Sequence, residues 1–300
     1  MVLTPVRATL LSTVVAVFLV AGCQTSGHEA GPPPPDPRPL DAVLDFSAED
    51  DAALWKAEEA EVRACMRERG HVYTVVEKPD HRREAAASPF ALLRPDWARS
   101  DGYGLTVEQL AGRPPDPNAD RLAGLPAKEE ERWRLALLGK EDNHREIELS
   151  EGLVISYDPD SCVSRAQAEL YGEDWPDLYY TVEQLSNEII LATQTSAAFT
   201  RAEDAWARCM QGYGLSYRAL DDPRQEIREA LEDESSVQSS GERELELAGL
   251  DLDCQLETGL HEKVQTAQSE ASRELVKRSR AELKQYEQAK QAALNRVGRG

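Results

Sequence analysis

The sequence predicts a mainly α-helical fold: a disulfide-stapled helical bundle with short extended segments and a long Pro/Gly-rich loop. Three observations point there. Aromatic residues are 6% of the 300-residue chain and charged residues 30%, so a core has to be built from Leu, Ala and Val. That composition suits helices that each bury a narrow stripe. No stretch shows the sustained β-branched alternation of a sheet. Beyond residue 23 there are four cysteines, Cys65, Cys162, Cys209 and Cys254, an even set that reads as two bridges in an oxidising compartment.

The compartment follows from the first 23 residues. Arg7 supplies a positive start, Ala8 to Val20 form an uncharged apolar run, and Val20-Ala21-Gly22-Cys23 reads as a lipobox. The run of about 13 residues falls short of the roughly 20 that span a bilayer, which weighs against a transmembrane helix. Residues 1–22 are therefore expected to be a lipoprotein signal peptide. Cys23 is the expected lipidation site, carrying palmitate or a similar acyl chain. Residues 23–46 are expected to be a lipidated Pro-rich tether. Prolines 32–35, 37 and 39 favour an extended arm of about 3.1 Å per residue.

An α-helical extracytoplasmic domain is expected over 47–300, built from two related Cys-containing units, 47–176 and 177–300. Ser47 followed by Asp50 has the form of a helix start, and the helix should run past Trp55 and Val62 to Cys65. The stretch 79–126, centred on Asp101-Gly102-Tyr103-Gly104, reads as a long loop. Long loops inside compact domains tend to carry function, so Trp97 and Tyr103 mark the expected binding surface. Pro126 opens a helix through Trp133 that Gly139 stops. Further helices are expected over 161–171, over 177–198, from a Thr200/Glu203 capping box onward, and over 242–258. The last helix carries a long apolar stripe: Leu260, Val264, Ala267, Ala271, Leu275, Leu283, Tyr286, Ala293 and Val297. It faces either the protein's own core or, less readily given its alanines, a partner helix.

An internal echo bears on the cysteine pairing. Cys65-Met66 is followed by Gly70 and Tyr73, and Cys209-Met210 by Gly214 and Tyr217, at identical spacings. Each Cys-Met ends a helix, each Gly stops it, and each Tyr lies in a short extended piece. Four cysteines allow three pairings. If the two units are copies, each pairs its own cysteines, Cys65 with Cys162 and Cys209 with Cys254.

The motifs Cys65-Met66-x-x-x-Gly70, Tyr103-Gly104, Pro117-Asn118, the run from Ala166 to Gly172, Leu252-Asp253-Cys254 and Thr258-Gly259-Leu260 together cover most of the mature chain. In them the sequence resembles a set of actinobacterial (Streptomyces-like) envelope lipoproteins. The resemblance implies a place in the envelope, near export-type transporters, and brings no activity with it.

Charge narrows the classes of function. The net charge of −21 argues against nucleic acid, whose phosphates need Lys and Arg. It also argues against broad adhesion to anionic lipid. The acidity is uneven, because 260–300 carry nine basic and five acidic residues. This leaves a basic C-terminal helix on an acidic body, with a membrane or acidic partner as the sharper reading. The histidines, His28, His71, His81, His144 and His261, make no HExxH or paired pattern and are expected at the surface. Asp158, Asp160, Glu173 and Asp174 lack the alternation of a Ca²⁺ loop and fit caps and solvated turns. No GxSxG or phosphate-binding glycine loop occurs. No cofactor, metal or catalytic residue is implied. The expectation is a cell-membrane, lipid-anchored, non-enzymatic binding or accessory protein, whose partners are the membrane through Cys23 and an envelope protein or peptide. An oligomerising transporter-accessory lipoprotein is the alternative, and an envelope hydrolase is a distant third.

Overall fold

The computed structural model describes residues 34, 35, 38–40, 44, 46–78, 88–111, 116–149, 152–232 and 237–298. Residues 1–22, expected as a signal peptide, and Cys23 lie outside these. Twelve α-helices and a single two-stranded antiparallel sheet make up the described structure.

The first helix, α1 (Ala48–Glu68), begins as its sequence dictates. Ser47 Oγ accepts from the Asp50 backbone N–H while the Asp50 carboxylate accepts from the Ser47 N–H, closing a capping box. It ends at Gly70, which takes a φ of +81° that favours glycine, as does Gly214 at the matching place in the second unit. After α1 the chain runs extended over 71–78 without joining a sheet. It is held instead by side chains. Asn118 accepts from the Thr74 N–H at 2.8 Å and donates to the Thr74 carbonyl at 2.9 Å, so one buried amide supplies the bonds of a neighbouring strand. Trp133 Nε1 donates to the Val72 carbonyl at 2.9 Å from α5 (Ala127–Leu138).

The echo goes deeper than the sequence reading found. Glu59, six residues before Cys65, accepts from the Val76 N–H at 2.7 Å. Glu203, six residues before Cys209, accepts from the Leu220 N–H at 3.0 Å. Val76 and Leu220 each lie eleven residues after their cysteine. In both segments a half-buried carboxylate therefore folds the exit segment back along its own helix. Val62 and Trp206 occupy matching buried positions three residues before the cysteines.

Both disulfides fall within these units: Cys65 with Cys162, and Cys209 with Cys254, with Cα atoms 5.5 and 5.6 Å apart. The first ties α1 to α6 (Cys162–Tyr171), the second α8 (Ala197–Gly212) to α10 (Val237–Glu257). The two bridges differ in setting, because Cys162 opens its helix whereas Cys254 sits near the end of a longer one.

Several expected boundaries move. The stretch 79–126 is not one loop. Its described part holds α2 (Pro95–Asp101), α3 (Leu105–Ala111) and α4 (Ala119–Ala123), and the first two pack on α10 of the second unit. The break after α7 (Trp175–Gln194) comes at Ser196, whose hydroxyl caps α8, because Glu203 is engaged elsewhere as described. The helix α9 (Asp222–Leu231) and the hairpin of β1 (Arg145–Glu148) with β2 (Val154–Tyr157) were not expected. The hairpin is too short to show a strand period. The last long helix is two, α11 (Leu260–Arg278) and α12 (Arg280–Val297), broken at Ser279. Its stripe is spent inside the chain, with Leu260 and Val264 against α8 residues and Leu283 and Tyr286 against α7.

The stretch 23–46, expected as a tether, already carries packed side chains. Leu40 and Leu44 are buried with Trp175, Val182, Leu185, Ile189, Leu283 and Tyr286 in one cluster, and Phe46 packs at its edge. Two leucines this apolar gain more by covering α7 and α12 than by staying in water.

The loops closed by the disulfides span 97 and 45 residues. On chain entropy alone they remove about 4.7 and 4.0 kcal/mol of unfolded-state freedom. Non-reducing peptide mapping should recover Cys65–Cys162 and Cys209–Cys254 and no other pair. In Cys209→Ser a single thiol should titrate only after denaturation and should map to Cys254, which is fully buried. Any other liberated cysteine would overturn the pairing.

Candidate functional site

The two residues expected to form a binding surface separate. Trp97 is half-buried on α2, with the Arg94 guanidinium 4.5 Å from its ring centre. Tyr103 is 4% exposed and belongs to a buried polar node. Its hydroxyl donates to Asp251 Oδ2 at 3.2 Å. Trp206 Nε1 and Gln255 Nε2 both donate to Asp251 Oδ1 at 2.8 Å. Arg224 lies 4.8 Å above the Tyr103 ring and donates to the Ala91 carbonyl at 3.0 Å. Tyr103 is thus a structural residue, and its position beside glycines is what made it look like a loop tip.

The node's purpose is to hold residues 90–106 against the second unit. Gln255 Oε1 accepts from the Leu93 N–H at 2.9 Å, and Nε2 donates to the Ala91 carbonyl at 3.2 Å. His261 Nε2 lies 2.9 Å from the same Oε1, so that ring nitrogen carries a proton. His261 is therefore buried, contrary to the expectation of a surface imidazole, because a glutamine one helix away supplies its acceptor. Glu244 caps α3, accepting from the Leu105 and Thr106 N–H groups at 2.8 and 2.9 Å. A side chain at Gly102 would collide with Glu244 Cγ, 2.7 Å from where its Cβ would stand. Ala91 sits at a φ of +52°, a strained value for a residue with a Cβ, held by the two donors on its carbonyl.

Burial pushes the Asp251 carboxyl up to about 6, against the opposing pull of Arg224 and the three donors. Burial likewise lowers Arg224. These shifts arise in a packed interior and mark a structural ion cluster rather than a reaction centre.

Exposed chemistry lies elsewhere, in a polar cleft of about 570 Å³ between the Asp142–Arg145 turn, Pro159 and Asp160, and α6. Buried Asp158 ties two of the cleft's lining residues, Asn143 and Asp160, together. Its carboxylate accepts from the Lys140 N–H at 2.7 Å, Asn143 Nδ2 at 2.6 Å and the Asp160 N–H at 2.8 Å. Burial opposes the charge, but these donors prevail and hold Asp158 below the usual carboxylate range. Gly139 is required here, since a Cβ would fall 2.1 Å from Asp158 Cβ. Both sequence turns thus converge on one buried carboxylate.

The cleft walls carry both signs. His144, Arg145 and Arg165 face the same space as Asp142, Asp160, Glu169 and Glu173. Neither arginine makes an ion pair among the described residues, although carboxylates line the same cleft. An apolar cleft of about 330 Å³ runs along α5 past Leu135 and the exposed Leu138 to Gly139, so the turn after α5 serves both. Among the described residues no group of three His, Cys, Asp or Glu stands close enough to hold a metal ion. The arrangement offers hydrogen bonds, charges of both signs and an apolar strip, which suits recognition of a polypeptide surface. Of these residues the sequence singles out Asp160 and Glu173, along with Asp158 beneath them, whereas Arg145 and Arg165 stand in no motif. Their meeting depends on the hairpin, which has no strong local signal.

Comparison with known proteins found no matching family model, no matching curated protein and no matching solved structure.

The Asp251 shift fixes the sign of a pH effect. The folded chain binds this proton more tightly than the unfolded chain, whose carboxyl titrates near 3.8. Asp251's contribution is therefore most favourable below pH about 4 and falls as pH rises to about 6, by about 3 kcal/mol. Urea unfolding of the native chain and Asp251→Asn at several pH values should show their stability difference shrinking across that window. A difference independent of pH would refute the shift.

Proposed function

We propose that this chain is a lipid-anchored, extracytoplasmic, non-enzymatic binding or accessory protein of the cell envelope, whose recognition surface is the polar cleft beside α6. One observation carries the reading: all four cysteines beyond the lipobox are joined in two disulfides. Such bonds persist in oxidising compartments, the destination that the first 23 residues encode. Anchoring rests on Cys23, since no described helix is long and apolar enough to cross a membrane. The cleft, with its unpaired arginines, its carboxylates and the neighbouring leucines, fits a protein or peptide partner of mixed charge.

Two experiments test the halves separately. Cys23→Ala should abolish metabolic labelling with palmitate and move the protein out of the membrane fraction. Unchanged labelling would end the anchor assignment. Arg145→Glu combined with Arg165→Glu should leave the melting temperature unaltered, because both side chains are exposed. The same variant should lose whatever envelope polypeptide the native chain retains in crosslinking on intact envelopes. Equal retention by both chains would remove the cleft from the reading.

A further inference from the structure

We propose that the corner where α11 meets α12 rests on the membrane and binds anionic lipid headgroups, as a second attachment beside the acyl chains of Cys23. The inference builds on the lipid-anchor reading above.

Charge sets this corner apart. Arg273, Lys277, Arg278, Arg280 and Lys284 cluster around Ser279, opposed by Glu274 and Glu282 along the chain and by Glu188 of α7, in a chain of net −21. Arg273, Arg280 and Lys284 are exposed and make no ion pair among the described residues. Lys277 reaches Glu274 at 3.7 Å, but both side chains are more than three-quarters in water, so that pair holds the lysine weakly. Arg278 pairs with Glu188 of α7, which fixes the corner to the body.

Position makes the charge useful. Leu275, Val276 and Leu283, on either side of Ser279, belong to the cluster that buries Leu40 and Leu44. Leu40 and Leu44 therefore share one hydrophobic cluster with residues on both sides of the basic corner. Lys290 reinforces the junction, bonding Asp51 at 2.7 Å and lying over the Phe46 ring at 4.3 Å. From Cys23 to Leu40 the chain spans no more than about 60 Å even when fully extended. A tether of that length holds this side of the body close to the bilayer at high effective concentration.

The rest of the acidic body favours the same orientation. An anionic leaflet repels carboxylates and attracts Lys and Arg only within about a Debye length, near 8–10 Å. Arg273, Arg280 and Lys284, exposed and outside any ion pair among the described residues, are the groups such a surface would attract. One acyl signal plus a basic patch is also the combination that makes lipid anchoring persistent.

The test uses the mature acylated chain on vesicles of phosphatidylcholine, with and without phosphatidylglycerol. The protein should float with both kinds through its acyl chains. Amide exchange over 273–284 should slow by about threefold or more on the anionic vesicles alone, and the slowing should vanish in high salt. The triple variant Arg273→Glu, Arg280→Glu, Lys284→Glu should still float with both but lose the slowing. Equal exchange on the two vesicles, or slowing that survives the triple variant, would overturn the lipid contact. Slowing seen only when envelope proteins are added would assign the corner to an acidic protein and overturn it equally. Failure to float with phosphatidylcholine would instead remove the acyl anchor, and with it a tethered second attachment.

Discussion

Everything in this molecule depends on how two helices are made to end. Cys65 and Cys209 each lie in the last turns of a helix, each tied to a neighbouring helix by a disulfide. Six residues earlier, Glu59 and Glu203 accept backbone N–H groups from the chain that has just left. Sulfur fixes the helix sideways and the carboxylate fixes the exit direction, so the following segment has one path. Tyr73 and Tyr217, further along those paths, each give their hydroxyl to a glutamate, Glu59 in one unit and Glu226 in the other. Burial and those carboxylates raise both phenols above their ordinary range, so they remain donors at any physiological pH. With 6% aromatic residues to build a core, the bundle relies on such pinned ends more than an aromatic-rich protein would.

The Asp251 node extends the same logic to the middle of the chain. Residues 90–106 contain few apolar side chains large enough to dock by burial alone. Phe90, Leu92 and Leu93 insert, and backbone groups that go in with them find partners in Gln255, Arg224 and Glu244, while Thr106 Oγ1 is buried without one. A buried ionic cluster of this kind is weak evidence for added stability, because desolvation offsets much of the attraction. It does select one docking geometry, since a misplaced segment would leave Asp251 or Arg224 without compensation. The helices α2 and α3 therefore pack on α10 although they follow the first unit in the chain, and α12 returns to pack on α1 and α6. The two units interleave instead of standing apart.

Function is pushed to the outside by this arrangement. The interior polar groups are engaged in holding segments, whereas the cleft beside α6 and the corner at Ser279 present charges that the fold leaves unpaired. The two surfaces differ in character: the cleft is of mixed sign, with buried Asp158 tying its turn together, and the corner is basic and shares a hydrophobic cluster with Leu40 and Leu44.

Local signals were legible because they act over a few residues. Ser47 with Asp50, the glycine stops at Gly70 and Gly214, and the apolar spacing of the long helices all operate within a turn or two, and each appears where its residues stand. The cysteine pairing was legible through the echo, and the glutamates at matching distances were there to be read as well. Tyr103 and His261 were misjudged for the opposite reason. A tyrosine between glycines and a histidine after a glycine look exposed until Asp251 and Gln255 come within hydrogen-bonding distance of them. The residue Asp251 lies 148 positions from Tyr103. The sequence alone determined the helices whose caps, glycine stops and apolar spacing act within a turn or two, and it missed α2, α3, α4, α9 and the break at Ser279, which carry no such strong local signal. Tertiary structure alone decided which of their polar residues face water, since burial depends on the surface that a segment meets, and that surface comes from distant parts of the chain.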